Sequence, residues 1–286
     1  MRDAPRPAAG DDVVGSDDRV TGDDLVTGDD LVTGDDLVTG DGVVGVDAAV
    51  AAASRVEGWL TEAQARRLWA RAAAAGGTVV EIGSFRGRST IVLAAAAGSV
   101  VAIDPHGGGD RGPQEIAPDA ARGEEDHAAF RANLEAAGVA ERGRHLRSAS
   151  AEALGEVDGA LALLYVDGAH RYGPARDDLA RWGSRVAPGG AMLVHDAFSS
   201  VGVTLALLTG CVLSPWWRYA GRTGSLAEYE RPFAPLRGRA RARNVARQLA
   251  ELPWFARNVA IKALVLARLR PLAHRLGLPP DARWPY

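Results

Sequence analysis

Four acidic residues stand at the ends of short apolar stretches that have the composition of β-strands: Glu81, Asp104, Asp167 and Asp196. When such strands run parallel in an open sheet, their carboxyl ends meet at one edge, and ligands bind in the crevice there. Carboxylates at that edge suit a small ligand with ribose hydroxyls and a positive or zwitterionic part. The pattern therefore predicts one ligand site to which several strands contribute.

The first of these stretches leads into a glycine turn. A β-branched run over residues 78–82 is followed by Gly83 and Gly87, and an Ala/Leu-rich pattern predicts a helix over 89–97. This strand, turn and helix form the opening unit of a doubly wound α/β sheet. The Gly-x-x-x-Gly spacing differs from G-x-G-x-x-G, which disfavours a nicotinamide enzyme, and the P-loop and G-x-S-x-G motifs are absent from the sequence.

Two of the acids have expected roles at this turn. Asp104 ends the second predicted strand and is placed to accept hydrogen bonds from ribose hydroxyls. Glu81 lies beside the turn, where it either orients the glycine loop or binds an amino group of the ligand. The Gly/Pro-rich insert over residues 105–123 is longer than a plain connection, which predicts an active-site lid.

Strands and helices alternate along the middle of the chain. The apolar run over residues 160–166 is typical of a central strand that is buried on both faces. The patterns predict strands over 78–82, 100–104, 143–147, 160–166 and 191–196 and a final hairpin over 217–221 and 225–230. They predict helices over 47–76, 89–97, 124–137, 174–182 and 201–208.

Charge divides the 286 residues into three parts. Residues 1–47 carry thirteen Asp and three Arg, a balance of -10, whereas residues 231–286 carry twelve Arg or Lys and two acids, a balance of +10. The net charge of the whole chain is -3, so residues 48–230 carry a net charge of -3 - (-10) - 10 = -3. We expect a globular domain over 48–230, flanked by an acidic tail and a basic extension.

The acidic tail repeats a hexad of the type Thr-Gly-Asp-Asp-Leu-Val. A calcium-binding or β-solenoid array is one reading of such a period. Low hydrophobicity combined with like charge favours disorder over residues 1–47.

The basic extension over 231–286 contains amphipathic helical patterns. Residues 238–275 combine Arg with Trp, Phe and Leu, as in helices that lie on anionic membranes. Packing on the domain and dimerisation into a homo-oligomer are the alternatives, and no nucleic-acid partner is expected. Because the sequence has no apolar run of about 18–20 residues and no secretion signal, we expect a cytoplasmic protein, with peripheral contact at the inner membrane face left open.

Four motifs resemble class I S-adenosylmethionine-dependent methyltransferases, a family of transferases. They lie at residues 80–90, 102–105, 164–172 and 187–196, and the resemblance covers roughly residues 75–230. It is nearest to the small-molecule O-methyltransferases of the macrolide sugar type and, more distantly, the catechol type. The resemblance implies a Rossmann-like, mostly parallel, seven-stranded sheet with a reversed final strand.

The resemblance also implies which residues hold S-adenosyl-L-methionine. The glycine loop would hold its methionine part through Glu81, Gly83 and Ser84, and Asp104 would bind the ribose. The turn at Ala149 and Ser150 would contact the adenine.

The same resemblance implies the catalytic residues. His170 matches the histidine of a D-G-x-H motif that acts as general base, and Asp167 belongs to the same motif. Asp167 and Asp196 match the carboxylates that bind Mg²⁺ in metal-dependent members. Ala197 stands where those members carry a further acid or amide, and strand alternation should turn His195 away from Asp196, so metal dependence stays open.

The function implied is transfer of a methyl group from S-adenosyl-L-methionine to a hydroxyl of a small molecule, such as a sugar or a glycosylated metabolite. The alternative is a catalytically inactive, membrane-recruited binding protein that keeps the methyltransferase fold.

Overall fold

The computed structural model describes residues 45–109 and 117–279. The predictions for the acidic hexad repeat up to residue 44, and for residues 110–116 of the insert, therefore lie outside the described residues. The described residues form nine α-helices and seven β-strands.

The elements follow the α/β alternation expected from the sequence. In chain order they are α1 (Val46–Ser54), α2 (Glu62–Ala73), β1 (Thr78–Ile82), α3 (Arg88–Ala97), β2 (Val100–Ile103), α4 (Ala120–Ala136), β3 (Gly143–Leu146), β4 (Leu161–Val166), α5 (Tyr172–Arg181), β5 (Val186–Val194), α6 (Val201–Leu207), β6 (Arg218–Thr223), β7 (Leu226–Glu230), α7 (Gly238–Leu249), α8 (Leu252–Leu266) and α9 (Arg270–Arg275).

One seven-stranded sheet has the order β3-β2-β1-β4-β5-β7-β6. Strands β1 to β5 are parallel, and β7 pairs antiparallel with both β5 and β6. The mostly parallel, doubly wound sheet with a reversed final strand is therefore confirmed. The chain order reverses direction at β1 and β4, and the carboxyl ends of these strands border a crevice of the kind that binds ligands.

Helices cover both faces of the sheet. One apolar cluster joins α1, α2 and α3 to one face through residues such as Leu68 and Leu93. A second cluster joins α5 and α6 to the other face through residues such as Leu179 and Leu207. Strand β4 contributes alternate side chains to both clusters, which explains its continuous apolar run.

The prediction of one helix over residues 47–76 was wrong. The chain breaks between α1 and α2, where Gly58 has φ +154°. The second helix begins at Thr61, whose hydroxyl and backbone N–H form a capping box with Gln64. A capping box satisfies N–H groups at a helix start, so Thr61 marks the start of a new helix.

The C-terminal helices pack on the sheet domain. The junction of α7 and α8 carries Glu251, which accepts hydrogen bonds from Tyr219 Oη (2.9 Å) and Arg222 Nε (2.7 Å) on β6. Trp254 and Phe255 pack against the second apolar cluster. Of the expectations for residues 238–275, packing on the domain is thus observed. None of the helices in the described residues combines the length and apolarity needed to cross a membrane.

Candidate active site

A cavity of about 510 Å³ opens at the carboxyl ends of β1, β2 and β4. Its size is ordinary for a cofactor or small-ligand site. Seven of the predicted cofactor-site and catalytic residues line it: Gly83, Ser84, Asp104, Ala149, Ser150, Asp167 and His170. The sheet edge predicted from the acidic residues is therefore the place where the structure has its cavity.

Gly83 is needed because β1 and β4 approach each other closely where they end. Gly83 has φ +87°, and a Cβ built there would lie 2.1 Å from the backbone oxygen of Asp167. Its N–H donates to the Ile103 carbonyl (2.8 Å). Only a residue without a side chain fits both the left-handed backbone and the contact.

Glu81 is fully buried and does not line the cavity. Its carboxyl accepts hydrogen bonds from the hydroxyls of Ser89 and Thr90 (2.5 Å for Thr90) at the start of α3. Burial raises the pKa of Glu81 to about 8, although the two hydroxyls favour the charged form. These bonds join the end of β1 to the start of α3 across the glycine turn, which is consistent with the first of its two expected roles, orienting the glycine loop.

The side chains of Asp104 and Ser84 both line the cavity, but they differ in their hydrogen-bond partners. Asp104 is held by two backbone N–H groups, from Phe85 to Oδ2 (2.8 Å) and from His106 to Oδ1 (2.7 Å). Ser84 Oγ is buried, lines the cavity and has no hydrogen-bond partner among the described residues. A buried hydroxyl without a partner is costly, so Ser84 fits a ligand that supplies one.

At the other end of the cavity, Ser150 is part of a polar group that the sequence did not reveal. Its hydroxyl donates to Asp178 Oδ1, and its carbonyl accepts from Trp182 Nε1 (3.1 Å). Asp178 lines the cavity, and burial raises its pKa to about 6. Asp178 lies on α5 eight residues after His170, and no motif in the sequence singled it out.

His170, Asp167 and Asp196 come together as predicted. His170 Nε2 lies 3.0 Å from Asp196 Oδ2 and 3.8 Å from Asp167 Oδ1. Burial opposes the charged imidazole, but the charges of Asp196 and Asp167 outweigh it and raise the pKa of His170. An imidazole so oriented, at the wall of a cavity, can accept a proton from a hydroxyl.

The expectation that His195 turns away from Asp196 was wrong. Strand β5 ends at Val194, and Asp196 has φ +55°, so strand alternation no longer holds. His195 Nδ1 lies 3.2 Å from Asp167 Oδ1 and 3.8 Å from Asp196 Oδ1. Burial would lower the pKa of His195, but Asp167 and then Asp196 raise it to about 9.

Both oxygens of Asp167 have partners. Oδ1 faces His195, and Oδ2 accepts a hydrogen bond from the buried Tyr165 hydroxyl (2.9 Å). Burial would raise the pKa of Asp167, but His195 and His170 hold it well below its usual range. Asp167 is thus fixed as a charged group beneath His170.

These ion pairs bear on the predicted Mg²⁺ site. Within residues 45–109 and 117–279, no group of three or more His, Cys, Asp or Glu side chains is arranged to hold a metal ion. Asp167 Oδ1 lies 3.2 Å from His195 Nδ1, and Asp196 Oδ2 lies 3.0 Å from His170 Nε2, so each carboxylate already has an imidazole partner. The donor set therefore fits a divalent cation poorly.

The raised pKa of His195 predicts how stability depends on pH. The contribution of this group is complete below its ordinary pKa of 6.5 and is lost as pH rises through about 9. The wild-type melting temperature should fall over this interval, by the equivalent of at most about 3 kcal/mol from His195.

The measurement is thermal unfolding by circular dichroism from about pH 6 to pH 10, for the wild type and His195→Asn. Glu81 has a raised pKa and contributes a fall of the same sign between 4.5 and about 8, so only the difference between the two proteins reports on His195. Equal slopes in both proteins would contradict the assignment.

Comparisons with solved structures return several methyltransferases at low identity. The O-methyltransferase TomG from Streptomyces achromogenes is 17% identical, with 65% of this chain and 89% of that chain covered and a TM-score of 0.45. An O-methyltransferase from Bacillus cereus is 17% identical, with 65% and 89% covered and a TM-score of 0.47. CalS11, a TDP-rhamnose 3'-O-methyltransferase, is 18% identical, with 60% and 81% covered and a TM-score of 0.42. Likenesses at this level carry no argument about activity.

None of the curated proteins compared with the chain gives a significant match. A family model described as a methyltransferase domain matches residues 80–197. This segment begins in β1, ends after β5, and contains the glycine turn and the His170, Asp167 and Asp196 cluster. Residues 80–197 of this chain therefore match the methyltransferase domain that the sequence motifs resemble.

Proposed function

We propose that this protein transfers a methyl group from S-adenosyl-L-methionine to a hydroxyl of a small molecule. The observation that carries the proposal is the imidazole of His170, 3.0 Å from Asp196 Oδ2, in the wall of the cavity that Gly83 and Asp104 also line. In this position His170 would act as a proton acceptor beside the features that suit the cofactor. The family match to residues 80–197 supports the reaction class.

The cavity offers a partner for each part of the cofactor. The glycine turn and the unpartnered Ser84 hydroxyl would hold the methionine part, and Asp104 would bind the ribose hydroxyls. Ala149 and Ser150, with Asp178 behind them, would hold the adenine. When bound, the cofactor would supply a methyl group already activated by its sulfonium.

The protein then has to align the acceptor and remove its proton. His170 would take the proton from the acceptor hydroxyl as its oxygen attacks the methyl carbon, and Asp196 would stabilise the imidazolium that forms. The new carbon–oxygen bond forms while the carbon–sulfur bond breaks, and S-adenosylhomocysteine leaves. Holding the acceptor oxygen, the methyl carbon and the sulfur in line lowers the barrier to transfer.

The proposal predicts cofactor binding without added metal. Calorimetric titration with S-adenosyl-L-methionine should show one site per chain, with the same affinity in EDTA and in Mg²⁺, because Asp167 and Asp196 already have imidazole partners. Failure of the cofactor to bind in either buffer would contradict the proposed function. Binding in Mg²⁺ alone would contradict the metal-free reading.

A further inference from the structure

The loop that follows β5 has a strained backbone. Asp196 has φ +55° and Phe198 has φ +56°, so two residues with side chains adopt the left-handed region within three positions. Each such residue costs about 1–3 kcal/mol and persists only where surrounding contacts impose the conformation. Asp196 is also the carboxylate nearest to His170 Nε2. The contacts that hold this loop therefore decide where that carboxylate stands.

Part of the support comes from within the domain. Ala197 N–H donates to the Ser225 carbonyl (2.9 Å), and Ser200 N–H donates to the Asp196 carbonyl (2.9 Å). Ser199 Oγ donates to Asp196 Oδ1 (3.1 Å). The ring of Phe198 is fully buried. These bonds bend the loop but leave the carbonyls of Phe198 and Ser199 to other donors.

Helix α8 supplies those donors. Lys262 Nζ donates to the Ser199 carbonyl (2.9 Å), and Asn258 Nδ2 donates to the Phe198 carbonyl (3.4 Å). Residues four apart lie on one face of a helix, so one face of α8 carries both donors. Asn258 is fully buried and Lys262 is half-buried. This helix lies beyond residue 197, outside the segment that matches the family model.

Lys262 differs in type from every other basic residue of the chain. Of the 33 Lys and Arg residues in the chain, Lys262 is the one lysine. An ammonium on a flexible stem is a compact point charge, whereas a guanidinium is a wide planar fork. Burial lowers the pKa of Lys262, and the charge of Asp196 opposes that change. The charge of Asp196 thus acts on the lysine ammonium.

We infer that α8 is part of the catalytic unit, with Lys262 and Asn258 as positioning residues that hold the 196–199 loop and so set Asp196 against His170. The inference rests on the proposed function for its catalytic meaning. The underlying structural claim is that α8 holds the 196–199 loop, and this can be measured without enzymatic turnover. It assigns the basic C-terminal segment a role inside the site.

The test compares Lys262→Met with Arg257→Met in the full-length protein. Arg257 is on the same helix and loses the same charge, but it does not contact the loop: it donates to the carbonyls of Leu276 and Gly277 near α9 and, through Nη1, to Asn258 Oδ1 (3.2 Å). Removing it leaves both donors to the loop, Lys262 Nζ and Asn258 Nδ2, in place. Hydrogen exchange at the amides of Ser199 and Ser200 should quicken by about tenfold or more in Lys262→Met and stay within about twofold in Arg257→Met.

A spectroscopic readout distinguishes positioning from general loosening. The chain has six histidines, so their imidazole ¹⁵N and ¹H signals can be resolved at one pH. In Lys262→Met the His170 signals should move while those of His274 on α9 stay. Arg257→Met should leave His170 unchanged.

Asn258→Leu roughly keeps the side-chain volume and removes the donor to the Phe198 carbonyl. This variant provides the test if Lys262→Met does not fold. Its expected effect is faster exchange of the same amides, by about threefold or more. Unchanged loop amides and unchanged His170 signals in the folded variants would overturn the inference. Calorimetry with S-adenosyl-L-methionine on the wild type tests the proposed function separately, because a wild type that does not bind the cofactor would refute that function while leaving the loop result intact.

Discussion

His170→Ala is expected to lower the rate of methyl transfer by about 10² to 10⁴, the usual contribution of a positioned general base. The reason is that the imidazole lies in the cavity wall, with Asp196 3.0 Å from Nε2 to stabilise the imidazolium that forms. Asp167 cannot take over the proton, because its pKa is held well below the usual range. Affinity for S-adenosyl-L-methionine should change little.

The measurement is release of S-adenosylhomocysteine with a panel of deoxysugar nucleotides and catechols, scored with mass detection of the methylated product. His274→Ala is the matched control, since His274 lies on α9 and its Nδ1 pairs with the Leu278 carbonyl. The wild-type rate should rise with pH through a value above 6.5, because the neutral imidazole is the base and its pKa is raised. If His170→Ala kept the full wild-type rate on an acceptor that the wild type methylates, the assigned base would be wrong.

Gly83→Ala is expected to abolish cofactor binding and to destabilise the fold severely. The substitution adds two costs: a left-handed backbone at φ +87° and a Cβ that would lie 2.1 Å from the Asp167 oxygen and 2.5 Å from its carbonyl carbon. Because these atoms are backbone at the end of β4, relief requires β1 and β4 to separate where the cavity forms. The loss should exceed about 3 kcal/mol, as for other strained and overpacked sites.

Gly98→Ala separates the two costs. Gly98 also has a left-handed backbone, with φ +77°, but a Cβ there meets nothing within 4 Å. It should cost only the strain, about 1–2 kcal/mol. Urea unfolding and calorimetry with S-adenosyl-L-methionine on both variants give the comparison. Equal losses of stability, or unchanged cofactor affinity in Gly83→Ala, would show that the close approach of the two strands is unimportant.

Much of the fold was readable from local patterns. Apolar runs of strand length, each ending in an acid, predicted the parallel strands and the edge at which they meet. The glycines at 83 and 87 marked the turn between β1 and α3, and both have positive φ, +87° and +90°. These signals are local because backbone sterics and burial of a continuous apolar run act within a few residues.

Other parts of the site could not be read in this way. Strand alternation predicted the wrong side for His195, because it assumes an extended backbone and Asp196 is left-handed. Asp178 lay in no motif, and the motif over residues 164–172 gave Tyr165 no role, although Tyr165 donates to Asp167 and Asp178 accepts from Ser150. The division of α1 from α2 was missed where Gly58 interrupts a helical composition.

By itself, the sequence determined the class of sheet and the grouping of Asp104, Asp167 and Asp196 at one edge, and its motifs carried the methyltransferase resemblance over roughly residues 75–230. Periodicity and glycine spacing suffice for the sheet and its edge, since both follow from local backbone rules. Only the tertiary structure decided that His195 faces Asp167 and that Lys262 reaches the Ser199 carbonyl across 63 positions of chain. Contacts of that kind depend on how elements that are distant in sequence pack together. Packing also holds Asp196 in a left-handed backbone conformation that its local preference disfavours.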